Sequence, residues 1–368
     1  MSSAAGGLSV SVPGLAYGLD SFEDVETHVL GTLDPLDTSA AASWGPRAEG
    51  FTVYGPASLK WAPAMKRALD RLAPDVVDVQ GLWTWVSKVS LDYSRQFRKP
   101  YVVTPRGMLD PWARRNSAWK KKLFAAFVET EHLANAYCLR ATAEMEAGHF
   151  REMKLRAPIA IVPNAIKIGA LQSRPYRQRK QALFLSRIHP KKGISLLLNA
   201  WATLEDKYPE WDLVIAGIDE NGHEAELKTH AERLHLGRVI FLGPVHGVAK
   251  EALYRGSDLF ILPTHAENFG LVIAEALAQE VPVITTKNAP WSGLEDKRCG
   301  WWISLNQTQL VDTIGYAMSC PRSELQAMGA RGRAWMQADF SPDQVAAKMR
   351  DVYLWCTGRI TRPDHVYG

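Results

Sequence analysis

Residues 263–286 read PTHAENFGLVIAEALAQEVPVITT and place Glu267 and Glu275 eight residues apart, on either side of an Asn-Phe-Gly turn. After the turn, apolar residues recur at three-residue intervals, which is typical of a helix lying against a sheet. Short apolar runs of strand length flank this segment. The stretch therefore predicts strand, turn, helix, strand, with one glutamate on the turn and the other in the helix. Turns of this kind hold ligands in open parallel sheets.

The residues of the turn indicate what that ligand is. Gly270 permits close backbone approach, and the amides after it form a helix N-terminus that attracts anions such as a diphosphate. Glu267 and Glu275 would repel phosphate, so they are expected to accept hydrogen bonds from hydroxyl groups. Phosphate beside hydroxyls favours a nucleotide sugar. The spacing alone also fits an alternative in which Glu267 is a solvated loop residue and Glu275 is a helix surface charge.

Three motifs resemble one enzyme family. The segment ENFGLVIAE, residues 267–275, resembles the E-x7-E motif of retaining glycosyltransferases of the GT4 type. FLSRIHPKKG at 184–193 resembles the family's G-R-x-x-x-x-K-G segment, and PNAI at 163–166 resembles its P-N-G-[IV] junction. The resemblance covers nearly the whole chain. It implies an α/β protein of the GT-B fold, with two Rossmann-like, doubly wound parallel-sheet domains facing each other across a cleft.

The resemblance also implies roles for individual residues. Arg187 and Lys192 would neutralise the donor diphosphate, Arg by a fork and Lys as a point charge. Glu275 would bind ribose hydroxyls, and Glu267 would act at the sugar together with the amides after it. The full predicted donor site comprises Gly6, Gly7, Arg187, Lys192, Asn268, Phe269, Gly270, Leu271 and Glu275. Without the motifs, Arg187 and Lys192 would pass for surface charges.

Length, composition and charge limit the class of protein. A chain of 368 residues exceeds what one core usually supports, and 46% hydrophobic with 22% charged residues describes an ordinary globular protein. The net charge of only +4 gives no reason to expect a nucleic-acid partner. Four scattered cysteines without a C-x-x-C pair argue for a reducing compartment. With no signal peptide and no long apolar run, cytoplasmic residence is expected.

The beginning of the chain departs from the family pattern. Family members open with an apolar strand before a Gly-Gly loop that approaches the donor phosphates, but here Gly6 and Gly7 follow only five residues. Either the first strand is missing or another segment fills that edge. Gly-Gly by itself also fits an ordinary turn. Strands are expected at 25–33, 51–54 and 76–79, with a helix at 58–72.

A polysaccharide-assembly branch of the family carries HGLW followed by PRGML and PW. This chain has QGLW at 80–83 and PRGML at 105–109, so Gln80 replaces the histidine. Arg106 stands where many GT4 enzymes have a histidine that contacts the reacting sugar. We predict that Arg106 is catalytic together with Glu267, as a fixed cation against charge developing on the leaving diphosphate. A structural arginine paired with Asp110 or another carboxylate is the alternative.

The segment 111–127, PWARRNSAWKKKLFAAF, interleaves cations with aromatic residues. Such a helix favours an anionic bilayer surface, where each basic residue contributes roughly 1 kcal/mol. Peripheral attachment to the inner face of the cytoplasmic membrane would suit a lipid-linked acceptor; a solvated basic helix is the alternative, and nucleic acid is not expected. The candidate contacts are Arg114, Arg115, Trp119, Lys120, Lys121 and Lys122.

The second half alternates strands and helices regularly. Apolar runs at 182–186, 213–217, 238–242, 258–263, 281–285 and 301–304 predict a parallel doubly wound sheet. The basic, polar stretch 172–180 is the best linker. We predict an acceptor-binding domain at 1–170 and a nucleotide-sugar domain at 171–341. A helix and tail at 342–368 should cross back to the first domain, with the residues after Gly358 only partly ordered.

The combined prediction is a retaining glycosyltransferase that moves a sugar from a nucleoside-diphosphate sugar to a hydroxyl of a glycan acceptor. The reaction is expected to need no protein base, because the leaving phosphate helps to deprotonate the acceptor. No cofactor and no metal are expected, because no Asp-x-Asp lies on a loop where it could bridge phosphates and the cations supply the positive potential. Two alternatives remain. They are a nucleotide-sugar epimerase of the same fold and a non-catalytic membrane-surface binding protein.

Overall fold

The computed structural model describes residues 1, 7–34, 38–55, 59–110 and 128–368. Within these ranges the chain divides into two compact units. The first comprises Met1–Lys167 and Phe340–Gly368, and the second comprises Ile168–Asp339. The chain therefore leaves the first unit once and returns to it through its final helix.

The helices and strands are numbered in chain order. They are α1 (Leu8–Leu19), β1 (Val29–Thr32), a 3-10 helix (Thr38–Ser43), β2 (Ala48–Phe51), α2 (Pro63–Leu72), β3 (Val77–Gln80), α3 (Trp85–Phe97), β4 (Tyr101–Thr104), α4 (Thr130–Ala134), β5 (Cys138–Ala141), α5 (Glu144–Glu152), β6 (Ile159–Ile161), β7 (Lys180–Leu185), a second 3-10 helix (Pro190–Lys192), α6 (Ile194–Leu204), β8 (Trp211–Ala216), α7 (His223–Arg233), β9 (Val239–Gly243), α8 (Gly247–Arg255), β10 (Leu259–Leu262), α9 (Leu271–Ala278), β11 (Val283–Thr286), α10 (Gly293–Asp296), β12 (Gly300–Ile303), α11 (Gln307–Ser319), α12 (Arg322–Asp339), α13 (Pro342–Cys356) and β13 (Val366–Tyr367).

The first unit contains two sheets. One has the order β13-β6-β5-β4-β3, and the other is the parallel pair β1-β2. Strands β3 to β6 are mutually parallel, whereas β13 runs antiparallel to β6. Among the described residues no strand joins β1 to β3. Strand β1 is shorter than the predicted 25–33, and β2 ends where a strand at 51–54 was expected to begin.

Helices α1 and α13 pack closely in the first unit. Leu15 and Leu19 of α1 share a buried cluster with Val345 and Met349 of α13. A Cβ added at Gly18 would lie 2.9 Å from the Cβ of Ala346, so the two backbones approach as closely as a glycine allows. This contact fixes α1 against α13.

The second unit is a six-stranded parallel sheet in the order β12-β11-β10-β7-β8-β9. Each predicted strand is present, with bounds shifted by one or two residues. The sheet's central strands read as continuous apolar runs because helices cover both faces of a parallel sheet. Strands β10 and β11 are buried at every position. Since all strands are parallel, the loops after β7, β10 and β11 emerge at the same edge.

Two sequence predictions were wrong. The tail after Gly358 is not loosely attached, because Val366 is 3% exposed and β13 pairs with β6. The stretch 172–180 is not a free linker either. Arg174 donates to Asp258 at 3.0 Å, and Arg179 donates to Asp212 at 2.9 Å. Its arginines therefore anchor it to the second unit, which composition alone did not indicate.

Candidate functional site

Three loops meet at the carboxyl edge of the second unit's sheet. They meet because β7, β10 and β11 are neighbours. The His265 N–H donates to the Lys191 carbonyl at 2.8 Å, which ties the loop after β10 to the loop after β7. The Glu267 N–H donates to the Asn288 carbonyl at 3.0 Å, which ties it to the loop after β11. Glu267 is therefore held by its backbone between two neighbouring loops.

Lys192 and Glu267, both predicted site residues, form an ion pair in this place. Their side chains are 8% and 16% exposed. An ion pair shielded to this degree is weakly screened, and either partner alone would be a poorly solvated charge. The two residues most strongly indicated by the motifs are thus brought together by adjacent strands.

Glycines permit the close packing of these loops. Gly193 has φ +73°, and a Cβ there would lie 2.0 Å from the Pro263 carbonyl oxygen. Gly270 has φ +80° and immediately precedes α9. Its added Cβ would meet the Glu267 side chain at 3.0 Å. Only glycine fits both positions without strain.

Glu275 lies within α9, as predicted, and is held by two residues of α8. It accepts a hydrogen bond from the Tyr254 hydroxyl at 2.9 Å and pairs with the Lys250 ammonium at 2.6 Å. Burial, and then the negative charge of Glu275, raise the pKa of Tyr254 well above its usual range. The Tyr254 hydroxyl therefore stays protonated and fixes the carboxylate by donating to it.

Arg187 is placed differently from Lys192. It follows β7 and pairs with Glu220, in the loop after β8, at 2.6 Å. Its side chain is 60% exposed. Of these two predicted diphosphate ligands, Arg187 is therefore the solvated one, whereas Lys192 is largely buried.

Aromatic residues support the Asn-Phe-Gly turn from behind. The Trp291 indole N–H donates to the Phe269 carbonyl, and the two rings lie 5.4 Å apart. Trp291 is 1% exposed, so it is a core residue. Trp302 is partly exposed and donates to the Ala289 carbonyl at 2.7 Å. Trp291 and Trp302 thus stabilise the backbone of the loop region.

Arg106 lies in the first unit, directly after β4, in the left-handed region with φ +58°. Its guanidinium donates to the Gln80 carboxamide oxygen, to the Ser11 hydroxyl at 3.2 Å and to the Asn164 side-chain oxygen. These partners are neutral. Among the described residues, Arg106 forms no ion pair with Asp110 or another carboxylate, so that alternative is wrong. Burial, together with the charge of Arg140, lowers the pKa of Arg106 to about 9. It therefore remains a cation at neutral pH.

A polar network surrounds Arg106. The Tyr353 hydroxyl, from α13, donates to Asp78 at 2.6 Å. Glu146 accepts from the Gly107 N–H at 2.7 Å and from the Thr142 N–H at 2.8 Å. These two carboxylates offset the two buried guanidinium groups without forming an ion pair with either. The position of Arg106 itself is fixed by its hydrogen bonds to β3, to α1 and to the segment after β6.

Some predicted site residues cannot be placed. Gly6 and the candidate membrane contacts in 111–127 lie outside the described residues. Gly7 is a turn residue immediately before α1. Within the described part of the chain, no cluster of three or more His, Cys, Asp or Glu residues is arranged to hold a metal ion. No helix there is long and apolar enough to span a membrane.

Sequence reasoning missed several members of both clusters. Lys250 and Tyr254 are four residues apart, which places them on one helix face, and this spacing could have indicated a shared partner. Ser11 and Asn164 carried no such signal. They reach Arg106 across 95 and 58 residues of chain respectively, a relationship that only the fold creates.

Two family models match this chain. Residues 171–335 match the family described as Glycosyl transferases group 1. Residues 6–165 match the Glycosyl transferase 4-like domain. The matches fall one on each side of the transition between the two units near residue 168.

Curated relatives are similar over part of their length. The alpha-1,3/1,6-mannosyltransferase alg2 of Schizosaccharomyces pombe is 27% identical over 276 residues, 64% of this chain and 54% of the relative. The lipopolysaccharide core biosynthesis mannosyltransferase LpsB of Rhizobium meliloti is 27% identical over 215 residues, 52% of this chain and 61% of the relative. The aligned region thus spans little more than half of these proteins.

Solved structures resemble the chain over nearly its full length. Anabaena Alr3699/HepE in complex with UDP has a TM-score of 0.76 at 19% identity, covering 96% of this chain and 97% of that one. A glycosyltransferase from Rickettsia africae has a TM-score of 0.74 at 15% identity, covering 96% and 95%. At these identities the likeness shows the fold alone. It confirms the predicted α/β class, GT-B with two Rossmann-like domains.

Proposed function

Because the chain belongs to the GT4-type glycosyltransferases, we propose that it moves a sugar from a nucleoside-diphosphate sugar to a hydroxyl of a glycan acceptor. The observation that carries this proposal is the convergence of Lys192, Glu267 and the N-terminus of α9 at one sheet edge. Cationic, carboxylate and helix N-terminal groups together match a diphosphate beside sugar hydroxyls. Surface polysaccharide assembly is the setting favoured by the motifs and by similarity to LpsB.

Each donor residue has a proposed role. The diphosphate binds Lys192, Arg187 and the amides of Asn268 to Leu271, while Glu275 accepts from the ribose hydroxyls. The Tyr254 hydroxyl and the Lys250 ammonium support this role because they orient the Glu275 carboxylate. Since a carboxylate oxygen has several lone-pair directions, Glu275 can keep these partners and still accept from a ribose.

The cations of this site are balanced by carboxylates before the donor arrives. Lys192 pairs with Glu267 and Arg187 pairs with Glu220. We propose that the donor diphosphate takes over the positive charge of Lys192 and releases Glu267 to accept from the sugar. The exchange avoids an unpaired buried charge in either state, which would be costly.

The chemical step needs no protein base. In a front-face, retaining transfer the leaving phosphate oxygen accepts the proton of the acceptor hydroxyl as the new glycosidic bond forms and the sugar–phosphate bond breaks. Arg106 supplies a fixed cation against the developing negative charge. We expect the reaction to proceed in EDTA, because Lys192 and Arg187 already provide positive charge for the diphosphate.

The acceptor and the location of the protein follow from the sequence prediction alone. We propose that residues 1–170 bind the acceptor, a glycan that is linked to a lipid. The basic, aromatic segment 111–127 supports attachment to the inner face of the cytoplasmic membrane. Its composition motivates this proposal.

A thermal-shift screen tests the proposal. UDP, GDP, dTDP and ADP and their common sugars are compared in EDTA, on the wild type, Glu275→Gln and the matched surface variant Glu295→Gln. A ligand at a hundred times its dissociation constant should stabilise the wild type by about 2.7 kcal/mol. Nucleotides with one particular nucleobase should raise the melting temperature of the wild type and of Glu295→Gln. They should raise that of Glu275→Gln less. No shift with any nucleotide would overturn the proposal.

Incubation of the stabilising donor with glycan acceptors then separates transfer from other chemistry. We expect nucleoside diphosphate release and a product whose anomeric configuration, read by NMR coupling constants, matches the donor. A converted sugar without any acceptor would instead indicate an epimerase.

A further inference from the structure

The carboxylate of Glu275 is contacted by two side chains of α8. The Lys250 ammonium lies 2.7 Å from Oε1 and 2.6 Å from Oε2. The Tyr254 hydroxyl donates to Oε2 at 2.9 Å, which is closer than its distance of 3.3 Å to the Val272 carbonyl. Among the described residues, no other side chain donates to Glu275. Oε2 therefore carries two donors and Oε1 carries one.

These contacts leave little of the carboxylate free. A carboxylate offers about four lone-pair directions, two on each oxygen. Lys250 is nearly equidistant from the two oxygens, so it lies between them and uses one direction on each. The Tyr254 hydroxyl uses the second direction on Oε2. One lone-pair direction, on Oε1, stays open.

The ribose of a nucleotide presents two neighbouring hydroxyls. Two donors held side by side can bind both oxygens of a carboxylate at once, as the paired N–H groups of an arginine do. Lys250 already occupies that side of Glu275. The ribose therefore cannot place one hydroxyl on each oxygen, and a single hydroxyl reaches Glu275 through Oε1.

The chemistry of the ribose leaves Lys250 in this place. A hydroxyl is neutral, so it cannot replace Glu275 as the counterion of an ammonium group. The Lys250 and Glu275 side chains are 27% and 22% exposed, and in the described part of the chain Lys250 pairs with no other carboxylate. Separating the two would leave both charges incompletely solvated. Lys192 differs, because there the arriving diphosphate supplies a negative charge.

We propose that Lys250 is a specificity-determining residue, which restricts Glu275 to one of the two ribose hydroxyls. The inference rests on the proposed function, since it concerns the nucleotide of the donor. A nucleoside diphosphate that lacks the other hydroxyl binds as tightly as the ribonucleotide. Lys250 thus widens the donor class to one of the two kinds of monodeoxynucleotide.

Calorimetric titrations in EDTA test this selection. The probes are UDP, GDP and ADP, each beside its 2′-deoxy and 3′-deoxy forms. The proteins are the wild type, Lys250→Met and the control Lys228→Met, which breaks a lysine–glutamate pair on α7, between Lys228 and Glu224 at 2.7 Å. Melting temperatures without nucleotide verify that each variant is folded. The wild-type comparison itself needs no variant.

The expected result is one-sided for the wild type and for Lys228→Met. With the base that binds best, one monodeoxy form should bind within about twofold of the ribonucleotide and the other about tenfold or more weakly, the effect of one hydrogen bond to a charged group. Lys250→Met opens both oxygens of Glu275. Both monodeoxy forms should then bind this variant more weakly than the ribonucleotide does.

Three binding patterns would overturn the inference. Similar losses for both monodeoxy forms in the wild type would mean that both hydroxyls reach Glu275, and no loss for either form would mean that neither does. A one-sided preference that persists in Lys250→Met would show that Lys250 does not set it. Each of these patterns still leaves a nucleotide site in place. If no nucleoside diphosphate binds the wild type, the proposed function fails and this inference fails with it.

Discussion

The carboxamide oxygen of Gln80 accepts two hydrogen bonds from the Arg106 guanidinium, from Nε at 2.8 Å and from Nη2 at 2.5 Å. These two residues stand where the resemblance leads one to expect histidine, in one branch of the family for position 80 and in many GT4 enzymes for position 106. They stand at the carboxyl ends of the paired strands β3 and β4. A carboxamide accepts from a guanidinium without neutralising it, so Arg106 keeps its charge. Gln80 and Arg106 are therefore best understood as one hydrogen-bonded pair.

Replacing Gln80 tests that arrangement. Gln80→Ala removes the acceptor of two charge-assisted hydrogen bonds. A hydrogen bond to a charged group typically stabilises the folded protein by about 1.5 to 3 kcal/mol. We expect kcat/KM for sugar transfer to fall at least tenfold, with donor affinity unchanged. The control is Gln96→Ala on α3, whose exposed side chain contacts Lys66 at 3.3 Å. Equal activity of both variants would contradict a role for the Gln80–Arg106 contact.

The two ion pairs of the donor site should differ in their contribution to stability. Lys192→Ala leaves Glu267 unpaired in a shielded place, and breaking a buried pair costs about 3 to 5 kcal/mol. Arg187→Ala breaks a pair whose arginine is 60% exposed, which contributes about 0 to 1 kcal/mol. Urea unfolding measures both. Similar losses for the two variants would show that the Lys192–Glu267 pair is not shielded in solution.

One glycine of the donor site and one glycine outside it make a matched pair for substitution. Gly193 and Gly222 both have positive φ, at +73° and +78°. Gly222→Ala meets no atom within 4 Å, so it should lose only the left-handed backbone cost of about 1 to 2 kcal/mol. Gly193→Ala also collides with the Pro263 carbonyl and should lose clearly more. A loss no greater than that of Gly222→Ala would mean that these loops are not packed together.

Stability should fall in mild acid through His189. Burial lowers the pKa of His189 below its usual 6.5. The folded protein then binds fewer protons than the unfolded chain, so this contribution is complete above about pH 6.5 and is lost as the pH falls from there through the lowered folded-state pKa. His189→Asn keeps an acceptor for the Lys191 N–H, which now donates to Nδ1 at 3.0 Å. Melting temperatures at pH 7.5 and 5.5 should differ less in this variant than in the wild type.

The second unit was largely predictable because its pattern is local. Strands β7 to β12 are apolar runs separated by amphipathic helices, and the motif residues Lys192 and Glu267 follow neighbouring strands. Their meeting follows from sheet order, which the family resemblance implied. The sequence could not show that Glu275 would be held from α8, because that contact depends on how two helices pack.

The first unit was less predictable. Its two sheets depend on which edges pair, and a short strand such as β1 has little local signal. Arg106 draws its partners from α1, β3 and the segment after β6, and the opposing carboxylate Asp78 is held by Tyr353 of α13. Contacts over such separations follow from the completed fold. The tail was misjudged for the same reason, since β13 finds its partner in β6.

The central claim is that Glu275, on α9, belongs to a nucleotide site. Calorimetric titration of the stabilising nucleoside diphosphate in EDTA, into the wild type, Glu275→Gln and Glu295→Gln, tests it most directly. The account predicts binding to the wild type and to Glu295→Gln with equal affinity, and at least tenfold weaker binding to Glu275→Gln. Equal affinity in all three proteins would contradict it, as would the absence of binding to the wild type.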